Sequence, residues 1–212
     1  MRLKEAILAA FVALQPAAAS AATPAPSLTE ADRADLARVE QYLNGIRTVA
    51  ARFMQSSSDG NVVQGNFYLQ RPGKMRIQYD GPNPLFMVAS GIYLSVYDPE
   101  IKQTSYLPIE STPAYFLVKN KVGLDDDVTV TRVERSADAL RVTVHEKGHP
   151  DQGRITLVFS DKPLQLRKWT VLDRDGKQID VALLDAQFDS KLDPDLFKYV
   201  DPTPAKGSNK TN

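Results

Sequence analysis

Apolar and polar residues alternate through most of the chain after residue 48, and this period of two predicts a protein built mainly of β-strands. Leu140, Val142 and Val144, for example, alternate with Arg141 and Thr143, as expected for strands with one buried face. Similar stretches separated by Gly, Pro and Asp turns predict about eleven strands in an antiparallel sheet that curls. The predicted strands are 48–55, 62–70, 74–79, 85–90, 92–98, 102–108, 128–134, 139–145, 153–160, 164–172 and 178–187.

Before the sheet, the spacing of apolar residues changes to that of an amphipathic helix. Ser27 or Thr29 can cap this helix, and Gly45 ends it. Its apolar stripe consists of Leu36, Val39, Tyr42, Leu43 and Ile46. Two shorter helical segments are expected, at 113–119 and within 192–200.

The two ends of the chain differ in character from the rest. Arg2 and Lys4 precede an apolar run, and Ala19-Ser20-Ala21 follows as a cleavage site, so residues 1–21 are interpreted as a signal peptide. An alanine-rich cytosolic helix is the alternative. We expect one domain over 22–202 and a disordered tail over 203–212.

Charge and cysteine content narrow the possible functions. The chain has 26 basic and 26 acidic residues, which is not the basic footprint of a nucleic-acid-binding protein. It has no cysteine, so it forms no disulfide and carries no lipid-modified cysteine of its own. No motif predicts a bound cofactor, and no Ser-His-Asp spacing, phosphate-binding glycine loop or credible carboxylate pair is present, which disfavours an enzyme.

One segment matches the His-Glu-x-x-His motif: His145-Glu146-Lys147-Gly148-His149. That motif binds zinc when a helix brings the two imidazoles onto one face. Here Gly148 and Pro150 disfavour a helix, and alternating strand patterns flank the segment. We therefore predict strand, turn and strand. A zinc hydrolase remains the alternative.

The region 36–120 resembles the periplasmic outer-membrane lipoprotein carrier family, called LolA-like. The resemblance rests on an ordered series of short motifs: Phe53-x-Gln55, Gly65-x-x-Tyr68-Leu69, Arg71-Pro72-Gly73-Lys74-Met75-Arg76, Tyr79 and Pro82, Ser90-Gly91, and Tyr97-Asp98. The series departs from the family at Met75, Ile77 and Ser95, where aromatic residues are common.

This resemblance implies a fold, a location and a function. The fold would be mainly β (α+β), an incomplete, strongly curved antiparallel β-barrel with helices covering an apolar cavity. The protein would be a monomeric periplasmic carrier in a Gram-negative bacterium. It would take acylated lipoproteins from an inner-membrane ABC transporter to an outer-membrane acceptor, LolB-like or unknown, without being an enzyme.

The resemblance also implies roles for particular residues. Arg71 would be a latch that bonds carbonyls of the covering helices, although an arginine reaching solvent from a turn is the alternative. Acyl chains would contact Phe53, Phe67, Leu69, Met75, Ile77, Leu94, Val96 and Phe116. Strand parity supports one apolar face, but a filled core would give the same pattern. A lipid-sensing regulatory module on the same fold is the second functional hypothesis.

Overall fold

The computed structural model describes residues 27–82, 84–112, 115–124, 126 and 128–202. The predicted signal peptide, 1–21, and the predicted tail, 203–212, lie outside these ranges.

Within the described residues, eleven strands form one antiparallel sheet, as predicted. The strands are β1 Thr48–Ser57, β2 Val62–Gln70, β3 Lys74–Tyr79, β4 Phe86–Ser90, β5 Tyr93–Asp98, β6 Gln103–Pro108, β7 Val128–Arg135, β8 Ala139–Glu146, β9 Gly153–Asp161, β10 Leu164–Asp173 and β11 Gln178–Phe188. The helices are α1 Glu30–Gly45 and α2 Tyr115–Val118, with single 3₁₀ turns at Ile109–Ser111 and Pro194–Phe197. Each predicted strand is confirmed to within two residues at either end, and the first 3₁₀ turn was not predicted.

The sheet is open and strongly curved. Its strand order is β6-β5-β4-β3-β2-β1-β11-β10-β9-β8-β7, so the two edge strands, β6 and β7, are consecutive along the chain. Phe67 on β2 and Trp169 on β10 belong to different halves of the sheet, yet their ring centroids are 6.2 Å apart. The sheet therefore curls around an interior, and the connection between its edges carries α2.

Helix α1 lies over the concave face. Thr29 caps it, accepting a hydrogen bond from the Asp32 amide while the Asp32 carboxylate accepts from the Thr29 amide, a reciprocal capping box. Its residues Leu36, Val39 and Leu43 are buried.

Ion pairs attach the first half of α1 to the β7 side of the sheet. Arg135 contacts Asp32 at 2.9 Å and Asp35 at 2.5 Å, and Arg38 contacts Asp35 at 2.7 Å and Asp161 at 2.9 Å. These side chains are partly exposed, so each pair stabilises by at most about 1 kcal/mol.

The convex face carries a second, smaller apolar cluster that the sequence analysis did not predict. Phe86, Val88 and Tyr97 are buried there, and Tyr199 packs against them. The final 3₁₀ turn, capped by Asp193, contacts β3 and β4 and contains the buried Phe197. Residues 194–199 thus cover the outside of β3 to β5.

The His-Glu-x-x-His segment adopts the predicted strand, turn and strand. His145 lies near the end of β8, and His149 lies in the turn before β9, with its amide bonded to the Glu146 carbonyl at 3.1 Å. Nothing helical brings the two imidazoles together. Over 27–82, 84–112, 115–124, 126 and 128–202, no group of three His, Cys, Asp or Glu side chains could hold a metal ion.

Candidate functional site: an apolar interior under a helical lid

The concave face of the first half of the sheet is organised as two rows of side chains that run across the strands. The pairing registers put neighbours of one row opposite each other on adjacent strands. The inner row contains Val49, Leu69, Met75, Ala89, Leu94 and Leu107. The outer row contains Ala51, Phe67, Ile77, Met87, Val96 and Ser105. Because facing residues on a pleated sheet share a side, each row forms a continuous stripe.

Seven of the eight residues predicted to contact lipid lie on this concave face, and the eighth, Phe116, lies on α2. All eight belong to one apolar cluster or pack directly against it. Met87 and Ala89, which continue both rows on β4, were not predicted from the sequence. Their signal was the uninterrupted run Phe86-Met87-Val88-Ala89, which indicates a strand buried on both faces.

Burial differs between the two rows. In the inner row, Leu69, Met75 and Leu94 are 3%, 1% and 2% exposed. In the outer row, Ile77 and Val96 are only half-buried although they face inward. Solvent therefore reaches part of the outer row, whereas the inner row is buried from Val49 to Leu94 and is half-buried only at its last member, Leu107.

The concave face continues onto the second half of the sheet. Trp169 points inward from β10, between Val181 and Leu157 on its neighbouring strands, and its ring meets that of Phe67. Trp169 is half-buried and is the only tryptophan in the chain. It is therefore a single spectroscopic reporter inside the interior, which the sequence analysis did not single out.

Arg71 follows β2 and continues its inward parity. Its side chain is 8% exposed. The Nε–H donates to the Leu117 carbonyl at 2.7 Å, and Nη1–H donates to the Leu43 carbonyl. The first acceptor is in α2 and the second is in the last turn of α1, where carbonyls have no partner within the helix. One guanidinium thus joins both helices to the sheet.

The surroundings of Arg71 make its charge costly. Among the described residues, no carboxylate lies within ion-pair distance of it, and its two partners are neutral carbonyls. Burial, and secondarily the nearby charge of Arg47, lowers the pKa of the Arg71 guanidinium. A buried cation without a counter-ion carries a desolvation penalty. The cost of burying the Arg71 charge therefore offsets part of the stabilisation from its two hydrogen bonds.

Backbone contacts extend the attachment around Arg71. The Gly73 amide donates to the Val118 carbonyl at 2.8 Å, and the Gly91 amide donates to the Gly73 carbonyl at 2.9 Å. Gly73 has φ of +80°, and a Cβ there would lie 3.3 Å from the Gly91 Cα. A glycine is required for this approach of the turn to its neighbour. We refer to α1, α2 and residues 119–124 together as the lid.

The lid has its own internal contacts. The Asn44 side-chain amide donates to the Val122 carbonyl at 2.9 Å, and its oxygen accepts from the Val122 amide at 2.8 Å. One helical turn earlier, the Glu40 carboxylate accepts from the Leu124 amide at 3.1 Å. Val122 and Leu124 are 0% and 2% exposed. These bonds join α1 to the segment that follows α2.

A pocket of about 410 Å³ opens along α1, beside these contacts. It is lined by Leu28, Arg33, Leu36, Ala37, Glu40, Gln41, Asn44 and Leu124. None of the eight predicted lipid contacts lines it. The pocket is therefore separate from the predicted acyl site.

The fold and site together define a class of protein: an open, curved antiparallel sheet whose apolar concave face is covered by helices, with one buried arginine bonded to both of them. No helix within the described part of the chain is both long enough and apolar enough to cross a membrane.

Comparison with known proteins agrees with this class. Residues 44–200 match the family described as "Outer membrane lipoprotein carrier protein LolA". Because that match covers most of the chain, the protein belongs to the LolA family.

Individual relatives are distant. An uncharacterized protein of Rickettsia prowazekii is 26% identical over 79% of this chain and 77% of its own length. An outer-membrane lipoprotein carrier protein of Azotobacter vinelandii is 25% identical over 86% of this chain and 92% of its own length. The crystal structure of an uncharacterized conserved protein from Thermus thermophilus superposes with a TM-score of 0.51 at 14% identity, covering 82% of this chain and 96% of that one. That likeness concerns the fold alone.

Proposed function

We propose that this protein is a periplasmic carrier that holds acyl chains of lipoproteins against its concave face and moves them from the inner to the outer membrane. It performs no bond chemistry. Its partners are acylated lipoproteins, an inner-membrane ABC transporter that loads it, and an outer-membrane acceptor that unloads it. The observation that carries the proposal is Arg71, a buried cation bonded to carbonyls of both lid helices.

The energetics of a carrier require two states of similar free energy. Each buried methylene stabilises a bound acyl chain by about 0.8 kcal/mol, so a chain of about twelve buried methylenes gains roughly 10 kcal/mol. A protein with a permanently open site would hold such a load too tightly to release it. Closure of the lid through Arg71 gives the empty state its own stabilisation, which opposes this gain.

The contacts of Arg71 suit such a balance. Hydrogen bonds to a charged donor stabilise by about 1.5–3 kcal/mol each, and burial of the uncompensated charge offsets part of that. The closed lid is therefore held firmly but not irreversibly. The half-buried residues of the outer row, Ile77, Met87 and Val96, supply a place where an acyl chain can first enter.

Binding is tested with Trp169 as the reporter. A synthetic triacylated lipopeptide with brominated acyl chains is titrated into the protein, because bromine quenches a tryptophan that it contacts. We expect saturable quenching with the brominated lipopeptide and none with the same peptide lacking acyl chains. Absence of quenching at saturating lipopeptide would contradict an acyl site on the concave face.

Cargo is tested by mass spectrometry of the protein purified from the periplasm of its own host. Arg71→Leu should retain more acylated protein than the wild type, because the empty closed state loses its latch. Arg76→Leu is the matched control, since Arg76 lies close by on the convex face, over the Phe86 ring at 5.0 Å. Copurification of a membrane regulator without lipoprotein, in all three proteins, would favour the lipid-sensing alternative instead.

A further inference from the structure

The internal contacts of the lid have a geometry that suits a rigid unit. Glu40 and Asn44 are four residues apart on α1, a rise of about 6 Å. Leu124 and Val122 are two residues apart along the segment after α2, and their amides meet the two helix side chains at 3.1 and 2.8 Å. The two helix side chains therefore match the backbone spacing of the segment, and both bonds form together.

Asn44 forms two hydrogen bonds to the backbone of one residue, Val122. Its carboxamide offers one acceptor and one donor, like a peptide group, and it uses both on Val122. The pairing is equivalent to one rung of an antiparallel ladder. Val122 is fully buried, so without Asn44 its amide and carbonyl would lack these partners in a place where unmade hydrogen bonds are costly.

We infer that Asn44, with Glu40, is a positioning clamp that makes α1 and residues 122–124 move as one body when the lid opens. Arg71 then fastens this body to the sheet through Leu43 of α1, and it also bonds Leu117 of α2. The clamp holds within the lid, and the latch holds the lid to the sheet. The inference rests on the proposed carrier function, in which the lid opens to admit acyl chains.

The clamp is tested on the unliganded protein by amide hydrogen exchange, resolved residue by residue with NMR. Asn44→Ala should lower protection at the Val122 amide by about tenfold or more, the loss expected for an unmade buried bond. Asn44→Asp keeps the acceptor for the Val122 amide, so it should keep much of that protection. Gln41→Ala, in the same pocket, is the control and should change nothing. Slow amides of β1 and β2 verify that each variant is folded.

Arg71→Leu separates the clamp from the latch. If the lid moves as one body, Arg71→Leu leaves the Val122 amide protected to within about twofold, because Asn44 stays bonded to it. The inference is overturned if Arg71→Leu exposes this amide as much as Asn44→Ala does. It is also overturned if Asn44→Ala leaves the amide protected.

A distance measurement follows the same body during binding. The chain has no cysteine, so paired spin labels can be introduced at exposed Gln41 and Lys121 within the lid, and at Gln41 and Met54 between lid and sheet. With the triacylated lipopeptide, we expect only the second distance to change; a change in the first would contradict the one-body lid. If the lipopeptide does not quench Trp169 at all, the carrier function fails, while the exchange experiment still decides whether the clamp exists.

Discussion

The ring of Phe53 lies directly over Gly65, its partner across the β1–β2 pair. A Cβ on Gly65 would come within 2.6 Å of a Phe53 ring carbon and 2.3 Å of the Gln78 carbonyl oxygen. Tyr79 pairs with Gly65 from the other side, and its ring meets that of Phe53 edge to face at 5.3 Å. The glycine thus makes room for an aromatic pair on the concave face.

Gly65→Ala should therefore destabilise the protein by about 1–3 kcal/mol, the usual cost of overpacking a tight core. The free energy of unfolding is measured by urea denaturation. Gly45→Ala is the matched control, because a Cβ there meets nothing within 4 Å and Gly45 is the last residue of a helix. It should be neutral or stabilise by up to about 1 kcal/mol. Equal effects of the two variants would contradict this interpretation of Gly65.

The raised pKa of Tyr79 predicts that the protein loses stability in alkaline solution. Burial raises the pKa of Tyr79 to about 12, against an ordinary value of 10, although a hydrogen bond to Gln55 opposes the shift. The unfolded chain releases this proton from about pH 10, whereas the folded protein keeps it to about pH 12. Stability from this group is present below pH 10 and is lost as the pH rises between the two values.

Between pH 9 and pH 11, this loss should amount to about 1 kcal/mol. Tyr79→Phe removes the ionisation, so its free energy of unfolding should fall less than that of the wild type over the same interval. Tyr106→Phe, at an exposed position, should retain the wild-type fall. An identical decline in wild type and Tyr79→Phe would refute the assignment.

The burial of Phe197 predicts that the final 3₁₀ turn contributes strongly to the stability of the protein. Phe197 is 3% exposed, whereas Val200, three residues later, is 73% exposed. Phe197→Ala should lower the free energy of unfolding by about 3–5 kcal/mol, and Val200→Ala should change it by less than about 0.5 kcal/mol. Thermal and urea unfolding measure both. A small effect of Phe197→Ala would mean that the final 3₁₀ turn is only loosely attached.

Arg71→Lys tests whether one cation with a single donor atom can replace a guanidinium. The wild-type side chain reaches two carbonyls through two different nitrogens, whereas an ammonium is a compact point charge. Losing one bond of about 1.5–3 kcal/mol should raise the open fraction of the lid roughly tenfold or more. Stopped-flow quenching of Trp169 by the brominated lipopeptide should then become faster. Unchanged kinetics in both Arg71→Lys and Arg71→Leu would remove Arg71 from the latch role.

The strands were predicted from the alternation of apolar and polar residues along the chain, because this alternation follows from the geometry of a strand. Successive side chains of a strand point to opposite faces, so Phe67, Leu69 and Arg71 were placed on one side by their parity, as observed. The same logic placed Leu94 and Val96 with Met75 and Ile77. Helix α1 was predicted from its stripe and its capping residue, which are also local signals.

The clamp and the convex cluster were not predicted, because their partners are distant in the sequence. Asn44 and Val122 are 78 residues apart, and Thr104 and Tyr199, whose hydroxyls are in contact, are 95 residues apart. No periodicity joins such residues. Only the curl of the sheet and the path of the chain end bring them together.

The amino-acid sequence by itself therefore determined the strand order along the chain, the inward parity of the apolar residues and the family signature around Arg71, since these depend on neighbours a few residues apart. Only the tertiary structure decided what Arg71 contacts, because its acceptors, Leu43 and Leu117, lie 28 and 46 residues away. It also decided which part of the concave face stays accessible, because burial depends on which elements fold over that face.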